Sequence, residues 1–289
     1  MQPFRYERPA SLERAVELLA EHGPAARILA GGTDLIIRLR DGTLRPDLVV
    51  DIKRIPDLAA QIAERDGRLS ISAGTTMTDI AADPRVRRHF RALAEAAAVV
   101  GSVQIRNRAT LAGNICNASP AADTAPALLI YDAEVVAVGP DGERRIPIDA
   151  FFVRSGVTTL RPGELVAAVE LPLPAEPAGS VHLRRTRRRG HDLASVTLAC
   201  LVTADRRLRL AYGSVGPRPV LVTEESGVLL DPAASEATRL AVLERLFAAA
   251  SPSPTSMRAS PEYRLAMLRV LGRRAIAAAA DRLAQEGVR

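Results

Sequence analysis

The segment that decides the fold of the N-terminal region reads Arg27-Ile-Leu-Ala-Gly-Gly-Thr-Asp-Leu35. Its apolar first half predicts a short buried strand that ends at Gly31-Gly32. Thr33-Asp34 is typical of a helix start, and residues 35–40 continue as a helix. Glycines between a strand and a helix let a ligand approach the backbone and leave N–H groups free to bind phosphate. The pattern indicates a phosphate-binding loop, although a double glycine before a helix is also typical of a plain turn.

Elements on both sides of this segment alternate between helix and strand. Ser11 and the apolar stripe after it predict a helix that ends at Gly23, and residues 48–52 predict another buried strand. The first ~50 residues therefore have the order α-β-α-β. The remaining chain predicts a turn at 66–67, helices at 84–100 and 125–131, a β-hairpin at 134–148, a proline-rich linker at 171–179, strands at 194–203, 208–212 and 219–223, and a mainly helical last third.

Residues 101–123 form the second unusual segment, because they are rich in Gly, Asn, Ser and Pro and lack apolar periodicity. We interpret them as one long structured loop, and loops of that length inside a domain are usually functional. The stretch Arg106-Asn-Arg-Ala-Thr-Leu-Ala-Gly-Asn-Ile-Cys-Asn-Ala-Ser-Pro-Ala-Ala-Asp123 concentrates small residues, amides and hydroxyls. It suits a second wall around a diphosphate, with Asp123 binding sugar hydroxyls. A loop that bonds to itself explains the composition equally well.

Composition excludes several classes of protein. The 289 residues are 47% hydrophobic and 25% charged, which is typical of a globular chain of one large or two ordinary domains. No apolar run approaches the ~18 residues of a membrane span. Two cysteines, Cys116 and Cys200, cannot bind a four-thiolate cluster and favour a reducing cytoplasm. The net charge of +6 leaves nucleic-acid binding open, but 3% aromatic residues provide little base stacking.

The two glycine motifs at their mutual spacing resemble the FAD-binding medium subunit of the molybdenum hydroxylases. This family comprises enzymes of the xanthine dehydrogenase, carbon monoxide dehydrogenase and aldehyde oxidase type. The resemblance continues through Asp149–Phe152, Thr159–Leu165, Asp192–Val196, Tyr212–Pro219 and Arg258–Arg264. Nearly the whole chain is therefore covered.

The resemblance implies an α+β fold in two parts. Residues 1–175 would form a two-subdomain FAD-binding domain of the vanillyl-alcohol-oxidase/PCMH-like type, with subdomains at about 1–53 and 54–175. Residues 176–289 would form a smaller α+β C-terminal domain. No metal-ligand spacing and no nucleophile–base pair is evident, as expected where a cofactor supplies the chemistry.

The same resemblance implies which residues bind FAD. The first motif and the Thr110 loop would surround the diphosphate, Asp123 would bind a cofactor hydroxyl, and two later residues would reach the adenine or flavin end. The implied residues are Ile28, Leu29, Ala30, Gly31, Gly32, Thr33, Asp34, Leu35, Thr110, Leu111, Ala112, Gly113, Asn114, Asp123, Val166 and Arg184. Ala112 replaces a family glycine and places a methyl group beside the expected diphosphate path, whereas Leu193 replaces a residue that is often aromatic.

The function implied is electron transfer. Molybdopterin would be bound by a large partner subunit and two [2Fe-2S] clusters by a small one, and FAD on this chain would pass electrons to NAD⁺, a quinone or another acceptor. One alternative is an FAD-dependent oxidoreductase that acts alone. Another is a flavin-free basic protein with a structural or nucleic-acid-binding role. We also expect the arginine-rich stretch 184–189 to meet an acidic partner surface.

Overall fold

A computed structural model describes residues 2–188 and 190–286 of the protein. Its strands are β1 Arg5–Glu7, β2 Ala26–Leu29, β3 Leu48–Asp51, β4 Ile62–Arg65, β5 Arg68–Ser72, β6 Glu134–Gly139, β7 Gly142–Pro147, β8 Phe152–Arg154, β9 Val157–Thr158, β10 Leu165–Pro172, β11 Ala178–Arg185, β12 Val196–Thr203, β13 Leu208–Gly213 and β14 Val220–Glu224. Its α-helices are α1 Leu12–His22, α2 Leu35–Arg40, α3 Met77–Ala82, α4 Pro84–His89, α5 Arg91–Ala98, α6 Val103–Arg106, α7 Leu111–Cys116, α8 Thr124–Ile130, α9 Ile148–Phe151, α10 Glu236–Leu246 and α11 Pro261–Glu286.

The N-terminal sheet is parallel, with the strand order β1-β3-β2. The Ser11 hydroxyl caps α1 by accepting a hydrogen bond from the Arg14 amide, and α1 buries one apolar face. The predicted α-β-α-β order is confirmed, and one strand, β1, precedes it. α2 begins where predicted, but the Asp34 side chain makes no capping hydrogen bond. The Asp34 carboxylate instead accepts a hydrogen bond from the side chain of Asn117.

The second sheet is antiparallel, with the strand order β4-β5-β10-β6-β7. Asp66 and Gly67 both have positive φ and form the tight turn of the predicted β4–β5 hairpin. The prediction of a single loop over residues 101–123 is wrong in part, because the segment contains α6 and α7. Helices of four and six residues are too short to show apolar periodicity. Ser102 and Thr110 cap them with side-chain oxygens.

The third sheet is an antiparallel meander in the order β11-β12-β13-β14. α11 packs on β11 and β12, whereas α5 and α8 of the preceding region contact the sheet through β11, β12 and β13. The C-terminal sheet is therefore joined to the first part of the chain by direct packing as well as by the linker. Within the described residues, no helix is both long and apolar enough to cross a membrane.

A buried tyrosine joins the two parts of the chain. The Tyr131 hydroxyl accepts a hydrogen bond from the Ala92 amide at 3.1 Å and lies 2.6 Å from Ser180 Oγ on β11. Burial raises the pKa of Tyr131 well above its ordinary value, so its hydroxyl proton stays in place.

We expect Tyr131→Phe to lower the free energy of unfolding by about 1–3 kcal/mol, because a buried amide and a buried hydroxyl lose a partner. Urea denaturation measures this change. The matched control is Tyr263→Phe, whose hydroxyl accepts from Arg185 at a more exposed position, and it should change stability by less than about 0.5 kcal/mol. Equal midpoints for the two variants would show that the Tyr131 hydrogen bonds do not join the two parts.

Candidate functional site

The two glycine motifs lie directly against each other. A Cβ atom on Gly31 would overlap the carbonyl oxygen of Arg108 and would lie 2.9 Å from its carbonyl carbon. Gly32 has a φ of +78°, which favours glycine. Both glycines are therefore required by geometry, and the turn after β2 meets the chain just before α7.

Asn117 connects these two segments through its side chain. Its Oδ1 accepts a hydrogen bond from Arg38 Nη2 at 3.0 Å, and its Nδ2 donates to Asp34 Oδ1 at 3.4 Å. Asp34 thus bonds across the junction instead of capping α2. Asn117 belongs to the second motif but was not among the predicted site residues, because its role depends on a contact with a distant part of the chain.

The junction leaves backbone donors free. Among the described residues, the amides of Gly32, Thr33 and Asp34 donate no hydrogen bond. On the other side, Thr110 Oγ1 accepts from the Gly113 amide at 3.1 Å, and Asn114 Oδ1 accepts from the Thr124 hydroxyl. Free amides beside a glycine turn form a concave site suited to anionic oxygens.

The predicted FAD-binding residues differ in how deeply their side chains are buried. Residues 28–33 lie next to the junction, and each of them is partly buried. Leu111 and Ala112 are at most 6% exposed and belong to the main apolar core. The Leu111 amide donates to the Thr75 carbonyl oxygen at 3.4 Å, and the Ala112 methyl group lies in the core. Val166 is buried on β10 opposite Ala137.

Asp123 and Arg184 are brought together although they lie in different parts of the fold. Arg184 Nη1 donates to Asp123 Oδ2 at 2.7 Å, and the side chains are 17% and 7% exposed. The second oxygen, Asp123 Oδ1, is buried and has no hydrogen-bond partner among the described residues. A buried carboxylate oxygen without a donor is costly, so this atom fits a hydroxyl group supplied by a ligand.

These features fit a dinucleotide cofactor. Two glycines and free amides can accommodate a diphosphate, and the orphaned Asp123 oxygen can accept from a hydroxyl. The family model of the FAD binding domain in molybdopterin dehydrogenase matches residues 2–174, and that of the CO dehydrogenase flavoprotein C-terminal domain matches residues 181–279. The chain is an FAD-binding medium subunit of the molybdenum hydroxylase family. The family resemblance of the sequence, the two-domain α+β fold and FAD as the cofactor are thereby confirmed.

Relatives of known identity match over almost the full length. The xanthine dehydrogenase FAD-binding subunit of Escherichia coli O157:H7 is 34% identical over 279 residues, covering 95% of each chain. The carbon monoxide dehydrogenase medium chain of Hydrogenophaga pseudoflava is 30% identical over 97% of this chain and 98% of its own. A solved carbon monoxide dehydrogenase structure from that organism has a TM-score of 0.88 and covers 98% of this chain and 99% of its own.

Two further family motifs of this medium subunit have structural roles. Glu164 accepts two hydrogen bonds from Arg144, which hold the pKa of Glu164 below its ordinary value and fix the start of β10. Arg264 is 6% exposed and donates to the carbonyls of Ser195 and Ser214. The Ser214 amide in turn donates to Pro120 O at 2.6 Å, which anchors the chain just before Asp123.

The arginine-rich stretch is partly engaged within the chain. Arg184 pairs with Asp123, Arg185 donates to Tyr263, and Arg187 contacts Asp192. Arg189 lies outside the described residues. The expectation that this stretch meets an acidic partner remains a prediction.

The two thiols of the medium subunit lie in different environments, because Cys200 is buried and Cys116 is partly buried. Burial raises the pKa of the Cys116 thiol to about 12 and also raises that of Cys200. Neither sulfur forms a disulfide, and no group of metal-binding side chains occurs in the described ranges.

We expect no reaction of either cysteine with Ellman's reagent at pH 8 in the native protein and reaction of both after unfolding, because only the thiolate attacks. Unfolded thiols ionise near their ordinary pKa of 9.0, whereas Cys116 keeps its proton to about pH 12. The unfolded chain therefore loses these protons first, and the free energy of unfolding should fall as the pH rises from 9 to 12. Rapid labelling of the native protein would contradict this.

Proposed function

We propose that this chain is the FAD-carrying electron-transfer subunit of a heterotrimeric molybdenum hydroxylase. The observation that carries the proposal is the contact between Gly31 and Arg108, because it brings two motifs from distant parts of the sequence into one cradle. When bound, FAD exchanges single electrons with iron–sulfur clusters and electron pairs with acceptors such as NAD⁺ or a quinone.

In this proposal the chain binds and orients the cofactor. Residues 28–35 and 110–114 receive the diphosphate, and the backbone amides of Gly32, Thr33 and Asp34, which have no partner within the described residues, are the free donors. Asp123 Oδ1 accepts a hydrogen bond from a cofactor hydroxyl, while Arg184 neutralises the carboxylate charge through its contact with Oδ2. Val166 contributes an apolar contact from β10. In the proposed division, residues 1–175 form the FAD-binding domain, with subdomains at about 1–53 and 54–175. Residues 176–289 form the C-terminal domain.

The partners follow from the chemistry that this chain cannot supply. Two cysteines are too few for a [2Fe-2S] cluster with four thiolate ligands, so the clusters and molybdopterin belong to a small and a large partner subunit. The Hydrogenophaga relative is named a medium chain, which fits such a division. Two free thiols support a cytoplasmic location.

Native purification followed by an absorption spectrum, metal analysis and a gel tests this proposal. We expect a bound-flavin spectrum together with iron, molybdenum, one larger partner and one smaller partner. Flavin without partners or metals would instead favour an oxidoreductase that acts alone. A colourless chain that also fails to take up added FAD would overturn the proposed function.

A further inference from the structure

A histidine lies beside the Asp123–Arg184 pair and has no role in the site as described so far. His182 and Arg184 are two positions apart on β11, so their side chains leave the strand on the same face. His182 Nε2 lies 3.5 Å from Asp123 Oδ1, the carboxylate oxygen without a partner. The His182 side chain is 2% exposed. Each oxygen of Asp123 is therefore faced by one residue of β11.

Hydrogen bonds fix both the ring and the backbone of His182. Its Nε2 lies 2.9 Å from Thr197 Oγ1 on β12, and its backbone amide donates to Glu95 Oε2 on α5 at 3.0 Å. The charged groups around it are Asp123 at the N-terminal end of α8, Arg184 from its own strand, Glu95 from α5 and Arg282 from α11, which pairs with Glu95.

The ring tautomer follows from the two oxygens near Nε2. With the proton on Nδ1, the lone pair of Nε2 would face the lone pairs of the Asp123 carboxylate. With the proton on Nε2, the N–H group donates to Thr197 Oγ1 and presents its positive end to the Asp123 carboxylate, which lies 3.5 Å away. The second arrangement avoids an electrostatic conflict between two buried acceptors.

We propose that His182 is a positioning residue for FAD: its Nε2–H group fixes the Asp123 carboxylate so that Oδ1 points at a cofactor hydroxyl. The 3.5 Å separation is too long for a direct hydrogen bond, which leaves Oδ1 able to accept from the ligand. This inference rests on the proposed function, because it takes Asp123 as the residue that binds the hydroxyl.

Fluorescence titration of the flavin-stripped full chain with FAD tests the inference, and the chain contains no tryptophan to interfere. We expect His182→Met to raise the Kd for FAD by about 10-fold, since the electrostatic attraction between the Nε2–H group and the Asp123 carboxylate is lost. His182→Gln should restore affinity to within about 3-fold, because its amide N–H reaches the position of Nε2, whereas His182→Asn should not. His22→Met, at the end of α1, is the control and should bind like the native chain.

A double-mutant cycle tests whether His182 affects FAD affinity through Asp123. If His182 acts through Asp123, then His182→Met combined with Asp123→Asn should bind FAD no more weakly than Asp123→Asn alone. Additive losses, or a normal Kd for His182→Met beside a weakened Asp123→Asn, would overturn the role of His182 and leave the proposed function intact. A native chain that binds no FAD would overturn both. Should His182→Met not fold, the Gln and Asn variants decide the question.

Discussion

A Gly31→Ala variant should fold and lose FAD affinity by about 10- to 100-fold. The added methyl group would overlap the carbonyl oxygen of Arg108 and press on Ala109, both of which are backbone. No rotation of a side chain can relieve such an overlap, so the two segments must move apart. Overpacking of this kind costs about 1–3 kcal/mol, which corresponds to the stated loss if the closed junction is the form that binds.

Separation of the two segments would also weaken hydrogen bonds between their side chains. Asn117 bonds to Asp34 and Arg38 across the same junction, and these contacts would lengthen as the segments separate. The free amides after Gly31 would then no longer face the start of α7. We therefore expect the loss to appear as faster release of FAD with little change in secondary structure.

Fluorescence titration and circular dichroism measure the two quantities. Gly216→Ala is the matched control, because its Cβ would lie an ordinary 3.4 Å from the Arg218 carbonyl oxygen at a position with no positive φ. Native-like FAD affinity in a folded Gly31→Ala protein would show that closure of the two motifs is not needed for binding.

Gly179→Ala should lower the free energy of unfolding by about 3 kcal/mol, at the upper end of the cost of overpacking. Gly179 lies on β11 where α11 crosses it, and a Cβ there would overlap the Ala279 carbonyl oxygen and lie 2.6 Å from the Leu283 amide nitrogen. The strand and the helix can yield only by separating. That separation would weaken the packing of the apolar cluster shared by α11 and the C-terminal sheet.

Thermal denaturation followed by circular dichroism checks this prediction. A loss of about 3 kcal/mol corresponds to a fall in Tm of about 6–12 °C for a domain of this size class. Gly216→Ala again serves as the control and should shift Tm by no more than about 2 °C. An unchanged Tm for Gly179→Ala would mean that α11 does not approach β11 as closely as the structure shows.

The sequence predicted those elements whose determinants are local. Ser11 and Gly23 mark the ends of α1, and Asp66-Gly67 marks a hairpin, because caps and turns depend on a few adjacent residues. α6 and α7 were missed since helices of four and six residues carry too little periodicity. β10 and β11 were missed as strands because one follows a motif and the other begins inside a proline-rich linker.

In the candidate site, too, only the features that depend on adjacent residues could be predicted from the sequence. The glycine turn after β2 was predictable from its sequence, whereas the contact between Gly31 and Arg108 depends on how two segments pack. Asp123 and Arg184 were each implied by resemblance, but nothing in the sequence showed that they pair. Asn117 and His182 were not selected at all, because their partners lie far along the chain. Only the fold shows such contacts.

The pairing of Asp123 with Arg184 has a consequence for how the protein is made. Asp123 directly precedes α8, but both residues that face its carboxylate lie on β11, so they leave the ribosome later. A nascent chain that ends before β11 lacks both groups that face the Asp123 carboxylate, so neither its charge nor its orientation is fixed at the place where FAD binds. Loading of the cofactor should therefore wait until the C-terminal sheet has formed and docked, and translation order would itself keep unfinished chains free of flavin.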